Sequence, residues 1–129
     1  MGKDISLDEA RESLVIDKHH LDIEVEMQST ICNQIGERMV LAESERDLCK
    51  SVLAATEAQI AKDIRQTVAE DGKKITETAL NQQMLLDEEY VAANKNYLEA
   101  KKEAALWKTI REDFNGRAFM LSQMCGLYD

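Results

Sequence analysis

The sequence has no proline, only five glycines and only six aromatic side chains in 129 residues. Without proline nothing forces a break inside a helix, and so little glycine cannot supply the many turns of a sheet protein. Six aromatics are too few to dominate a compact core, so the interior must rest on Leu, Ile, Val, Met and Ala packed along extended helices. Cysteine is also scarce. Cys32, Cys49 and Cys125 are odd in number, far apart and on apolar helix positions, which argues against a disulfide framework and suits reduced thiols acting as small hydrophobes. No run approaches the ~20 apolar residues of a membrane span, and the acids near the N-terminus leave no signal-peptide core. A cytoplasmic protein without membrane contact is therefore expected. Positive charge is in short supply too: 16 Lys and Arg face 25 Asp and Glu, for a net charge of −9. That balance disfavours a surface that binds nucleic acid everywhere and confines any DNA contact to a local patch.

What the sequence does contain is helical periodicity. From Tyr90 through Ala93, Tyr97, Ala100, Ala104, Trp107, Arg111, Phe114, Ala118, Leu121 and Cys125 to Tyr128, positions fall alternately three and four apart, the a/d spacing of a heptad seam. Eleven of the twelve are apolar, where a 44% hydrophobic composition would place about five, so the period marks a buried stripe. Leu98, Ala105, Ile110, Met120, Met124 and Leu127 widen that stripe beyond what one antiparallel neighbour covers, which predicts contacts between subunits. Trp107, Phe114, Phe119, Leu121, Met124 and Tyr128 are the residues expected there. A second seam runs from Leu21 and Val25 through Cys32, Ile35, Met39, Ala42, Cys49 and Leu53 to Ile60, with Gln28, Arg46 and Thr56 as polar members. Ser6 and Glu9 have the form of a capping box, Asp17 and Asp87 suit helix N-caps, and Gly72 suits a helix C-terminus. The expectation is a single all-α domain, an elongated helical hairpin or coiled coil of two long helices, oligomeric. Its parts are a short N-terminal helix within 1–16, a first long helix over 17–71, a reversal with a short helix over 72–86, and a second long helix over 87–128.

Catalytic apparatus is not visible: no glycine-rich loop precedes a helix, and no nucleophile stands at motif spacing from a histidine. His19 and His20 are adjacent, about 100° apart on a helix, a poor geometry for chelating one metal. Neither an enzyme, a cofactor nor a metal site is therefore expected. Asp87, Glu88 and Glu89 read as a first helical turn that complements the dipole. Arg46 and Arg111 interrupt the seams, where a polar residue can fix register, and Asp47, Glu43 and Glu112 are within pairing reach. Lys62, Arg65, Lys73 and Lys74 cluster near the reversal. The first fifty residues carry twelve acids and six bases, whereas residues 91–128 carry four acids and six bases, so the charge is polarised along the chain.

The segment Val15-Ile16-Asp17 with Leu21 and Glu24, then a long helix, a turn, and Arg117-Ala118-Phe119-Met120-Leu121, resembles phage recombination mediators of the UvsY type. The likeness spans most of the chain. It implies a helical homo-oligomer that binds single-stranded DNA, engages a recombinase and a single-strand binding protein, and promotes assembly of the recombinase filament. Basic residues late in the first long helix serve DNA binding in that family, and Lys62 and Arg65 match them here, across a small gap. The family is markedly more basic in that helix than this sequence. With Tyr90 and Tyr97 in the buried seam, little base preference is expected. Two other classes stand beside the mediator: an acidic helical DNA mimic that blocks a host nuclease, and an oligomeric scaffold subunit that binds no nucleic acid.

Overall fold

The computed structural model describes residues 4–128, with side chains through residue 126. It is all-α, with no strand among the described residues: α1 (Leu7–Glu12), α2 (Leu21–Glu70), α3 (Glu77–Leu85) and α4 (Glu88–Tyr128). The two long helices α2 and α4 pack as an antiparallel hairpin, since Gln28 meets Phe114 and Glu24 meets Arg117 while Met39 meets Arg111. Its contacts group into two compact units, one formed by residues up to Glu43 and from Lys102 onward, the other by Ser44–Lys101.

Local chemistry sets each boundary. Ser6 caps α1 by accepting from the Glu9 N–H at 3.1 Å. The Glu9 carboxylate answers by accepting from the Ser6 hydroxyl at 3.2 Å, a side-chain variant of the expected box. The first long helix begins at Leu21, not at residue 17. Asp17 spends its carboxylate on a turn, accepting from the His19 N–H at 3.0 Å and pairing with His20 Nδ1 at 2.7 Å. Those contacts hold the Asp17 carboxyl below its ordinary pKa, the His20 hydrogen bond first and the His19 amide second. At the other end of α2, Gly72 takes φ +72°. Gly72 N–H donates to Ala69 O at 2.9 Å and Lys73 N–H to Val68 O at 3.2 Å, the paired bonds of a Schellman stop. Thr76 caps α3 through Ala79 N–H. Leu86 ends α3, and Asp87 starts α4 by accepting from Glu89 and Tyr90 N–H at 2.9 and 3.3 Å.

In the first unit, Ile5 and Ala10 from the N-terminal segment pack with Ile35 and Ala42 of α2 and with Ala104, Trp107, Ile110 and Phe114 of α4. The Trp107 indole N–H is satisfied by Glu103 at 3.0 Å, and the Arg38 guanidinium lies 5.5 Å from its ring. Two positions depart from the heptad seam. Ile110 and Arg117 face inward, and Arg111 and Ala118, the seam positions, are exposed. At 3.6 residues per turn, the residues three and four after Trp107 flank the inward direction about equally, and the larger apolar side chain, Ile110, takes it. After Phe114 the same choice falls to Arg117 because α2 holds partners for it.

Those partners make a buried polar network. Arg117, 5% exposed, donates to Glu24 and to Gln28 Oε1, and its Nε reaches Leu14 O at 3.3 Å. Gln28 returns a bond from Nε2 to Phe114 O at 3.0 Å, and the guanidinium lies 5.6 Å from the Phe114 ring. Burial pushes the Arg117 pKa down, yet the paired carboxylate keeps the cation in place. One side chain thereby ties the segment after α1, α2 and α4 together.

Among the described residues the buried apolar side chains of the second unit are Ile60, Leu80 and Ala93, against nine in the first unit, so the larger share of the apolar core lies in the first.

Candidate nucleic-acid interface

Lys62, Arg65, Lys73 and Lys74 all lie in the second unit, and all four side chains are exposed. Lys62 and Arg65 stand one turn apart on the last third of α2. Lys73 and Lys74 follow the Schellman stop, in the connection between Glu70 and Glu77. The Gly72 turn therefore fixes the backbone from which both lysines project. Eight residues separate Lys62 from the end of α2, about 12 Å of helix, so the cations form a chain along the reversal and not a tight pocket.

The electrostatics are finely balanced. Between residues 62 and 77 four bases (Lys62, Arg65, Lys73, Lys74) face four acids (Asp63, Glu70, Asp71, Glu77), so the local net charge is zero. One acid is directly engaged: Arg65 Nη2 donates to Glu77 Oε1 at 2.8 Å, joining α2 to the first turn of α3. The two side chains are 54% and 76% exposed, so the pair is worth ~0–1 kcal/mol and yields readily to a competing anion. Spacing rules for helix pairs gave no warning of this bond, because it crosses the reversal.

The residues expected at a subunit interface divide three ways. Trp107, Phe114 and Leu121 are 1%, 0% and 2% exposed within the single chain, so their seam is consumed by the chain's own packing, which corrects the expectation for these three. Periodicity showed that the face is covered but not that α2 covers it. Phe119 is 66% exposed and Met124 half-buried; the Tyr128 side chain lies outside the described residues. Arg46 pairs with Asp47 at 3.1 Å, one of the partners within reach in the sequence.

Among the described residues, no group of three or more His, Cys, Asp or Glu is arranged to hold a metal ion, and no helix is long and apolar enough to cross a membrane. The three cysteines are free and half-buried. Burial and the neighbouring Glu45 carboxylate, in that order, push the Cys49 thiol pKa up, which lowers its thiolate fraction and its reactivity. Compared with protein families, curated proteins and solved structures, the chain matches none.

Proposed function

We propose that the protein is a recombination mediator of the type its sequence resembles: a cytoplasmic homo-oligomer that binds single-stranded DNA and helps load a recombinase in place of single-strand binding protein. The observation that supports this reading most is the exposure of Lys62, Arg65, Lys73 and Lys74 along one helical reversal. A single chain at net charge −9 attracts phosphate poorly at long range. Several reversals side by side neutralise several phosphates of one strand, and the second contact is then intramolecular. Association is supported by apolar side chains left uncovered in the first unit. Val40 and Leu41 are each 57% exposed beside Gly36 and Arg111, and Phe119 and Met120 are exposed on α4.

The functional test is a loading assay. Single strands are coated with single-strand binding protein, and the strand-dependent ATP hydrolysis of a RecA-class recombinase is followed. The reading expects this protein to shorten the lag and Lys62→Ala/Arg65→Ala to restore much of it. An unchanged lag at any protein concentration overturns the mediator assignment.

A further inference from the structure

Ala54, Ala58, Ala61 and Arg65 follow one another on α2 at steps of four, three and four, so one helix face carries three methyl groups and then a guanidinium. Leu80 and Met84 of α3 and Tyr90 of α4 stand across from them. Alanines do not fill the space between, and an open groove of about 500 Å³ remains. That volume falls within the roughly 300–1,000 Å³ of small-ligand sites. Tyr90 is half-buried and lines this groove, whereas the heptad seam assigns it to a closed interior.

The lining has an ordered polarity. Its floor is methyl groups, its far wall offers an aromatic ring and a thioether, and the exposed amide of Asn81 supplies both a donor and an acceptor. Arg65 supplies the cation, held by an exposed carboxylate that a phosphate can replace. Glu57 also lines the groove, but eight residues before Arg65, about 12 Å along the helix, which leaves the Arg65 end as the place for an anion. The groove has an aromatic ring, an amide edge and a cation beside the carboxylates of Glu57 and Glu77, and once Glu77 gives way these can take a nucleotide's π-face, base edge and phosphate.

We propose that this groove takes one unstacked base of a single strand, with the adjoining phosphate on Arg65 in place of Glu77. The proposal rests on the reading of the protein as a single-strand binder and deepens it: each chain holds the strand by a base as well as by phosphates. The Asn81 amide can turn to suit any base edge, so the site selects for an unpaired base and not for a sequence.

The test uses the full chain and two labelled strands of equal length, an oligothymidylate and a strand of abasic sites with the same phosphates, compared by fluorescence anisotropy. Base stacking predicts that the wild type binds the oligothymidylate about tenfold tighter or more. Ala58→Leu, which fills the groove, and Tyr90→Leu, which removes the aromatic wall, are each expected to bring oligothymidylate binding down towards the abasic level. Abasic binding should stay unchanged, and Tyr90→Phe should retain the preference. Equal wild-type affinity for both strands overturns the base site and leaves phosphate-driven binding standing. Binding to neither strand overturns the single-strand reading along with it. Full thymidylate preference in Ala58→Leu, with a wild-type circular dichroism spectrum, places the base elsewhere and refutes the groove assignment.

Discussion

The Arg117 network gives the sharpest stability prediction, because its two ions are buried to different depths. The Arg117 side chain is 4% exposed and that of Glu24 is 21% exposed. Arg117→Met strands a carboxylate that water still reaches and should cost ~2–3 kcal/mol, whereas Glu24→Leu strands a nearly dry guanidinium and should cost ~3–5 kcal/mol. If the two losses were independent they would add to about 5–8 kcal/mol. Replacing both ions by apolar groups of similar volume removes the stranded charge, so the double variant should lie within about 1 kcal/mol of wild type. The remaining losses are Gln28 Oε1 and Leu14 O, which lose their donor, while Gln28 Nε2 keeps Phe114 O. Urea unfolding followed by far-UV circular dichroism, at matched chain concentration so that association does not enter the comparison, measures all four corners of the cycle. For a chain of this length the single variants should also melt roughly 10 °C or more lower. A cost below about 1 kcal/mol for Glu24→Leu, or a double variant no better than the worse single, would refute the claim that this pair ties α2 to α4.

Asp87→Ala removes the acceptor for Glu89 and Tyr90 N–H and should cost ~1 kcal/mol, read from the same urea curves. Gly116→Ala should stabilise by ~0.5–1 kcal/mol, because a Cβ at this helical position meets nothing within 4 Å, and a raised melting temperature checks it. The Asp17 carboxyl has its pKa lowered from the ordinary value of 3.8, so its contribution to stability is fully present above that value and disappears as pH falls through the lower folded pKa. Asp17→Asn should therefore melt below wild type at about pH 5, and the gap between the two should close as pH falls below 3.8.

Much of the fold was legible because its signals are local. Ser6, Gly72 and Asp87 announce helix ends by chemistry that acts within three residues, and the structure uses each of them where expected. Asp17 carries the same signal, but its side chain is taken by His19 and His20, so α2 starts four residues later. The burial of Trp107, Phe114 and Leu121 was legible from period, but what covers them was not, because a hydrophobic repeat carries no information about whether its partner lies in the same chain. Arg117 illustrates the remaining gap. A cation is ordinarily assigned to the outside of a helix, and only Glu24 and Gln28, brought from more than eighty residues away, make its burial favourable. The candidate site divides in the same way: the four cations were visible as a cluster, while the Arg65–Glu77 bond and the groove beside Tyr90 exist only once α3 folds back on α2.

Single-strand binding through the reversal is the central claim, and the salt dependence of that binding tests it most directly. The logarithm of the observed association constant of the wild type for an oligothymidylate, plotted against the logarithm of salt concentration, should fall linearly. Each phosphate contact contributes a slope of about −0.7 on a single strand. Lys62→Ala/Arg65→Ala removes two contacts per engaged chain, so its line should lie lower at low salt and be shallower by about 1.4 for each chain that touches the strand. A double variant with the wild-type affinity and slope, or a wild type that does not bind at low salt, would contradict the account.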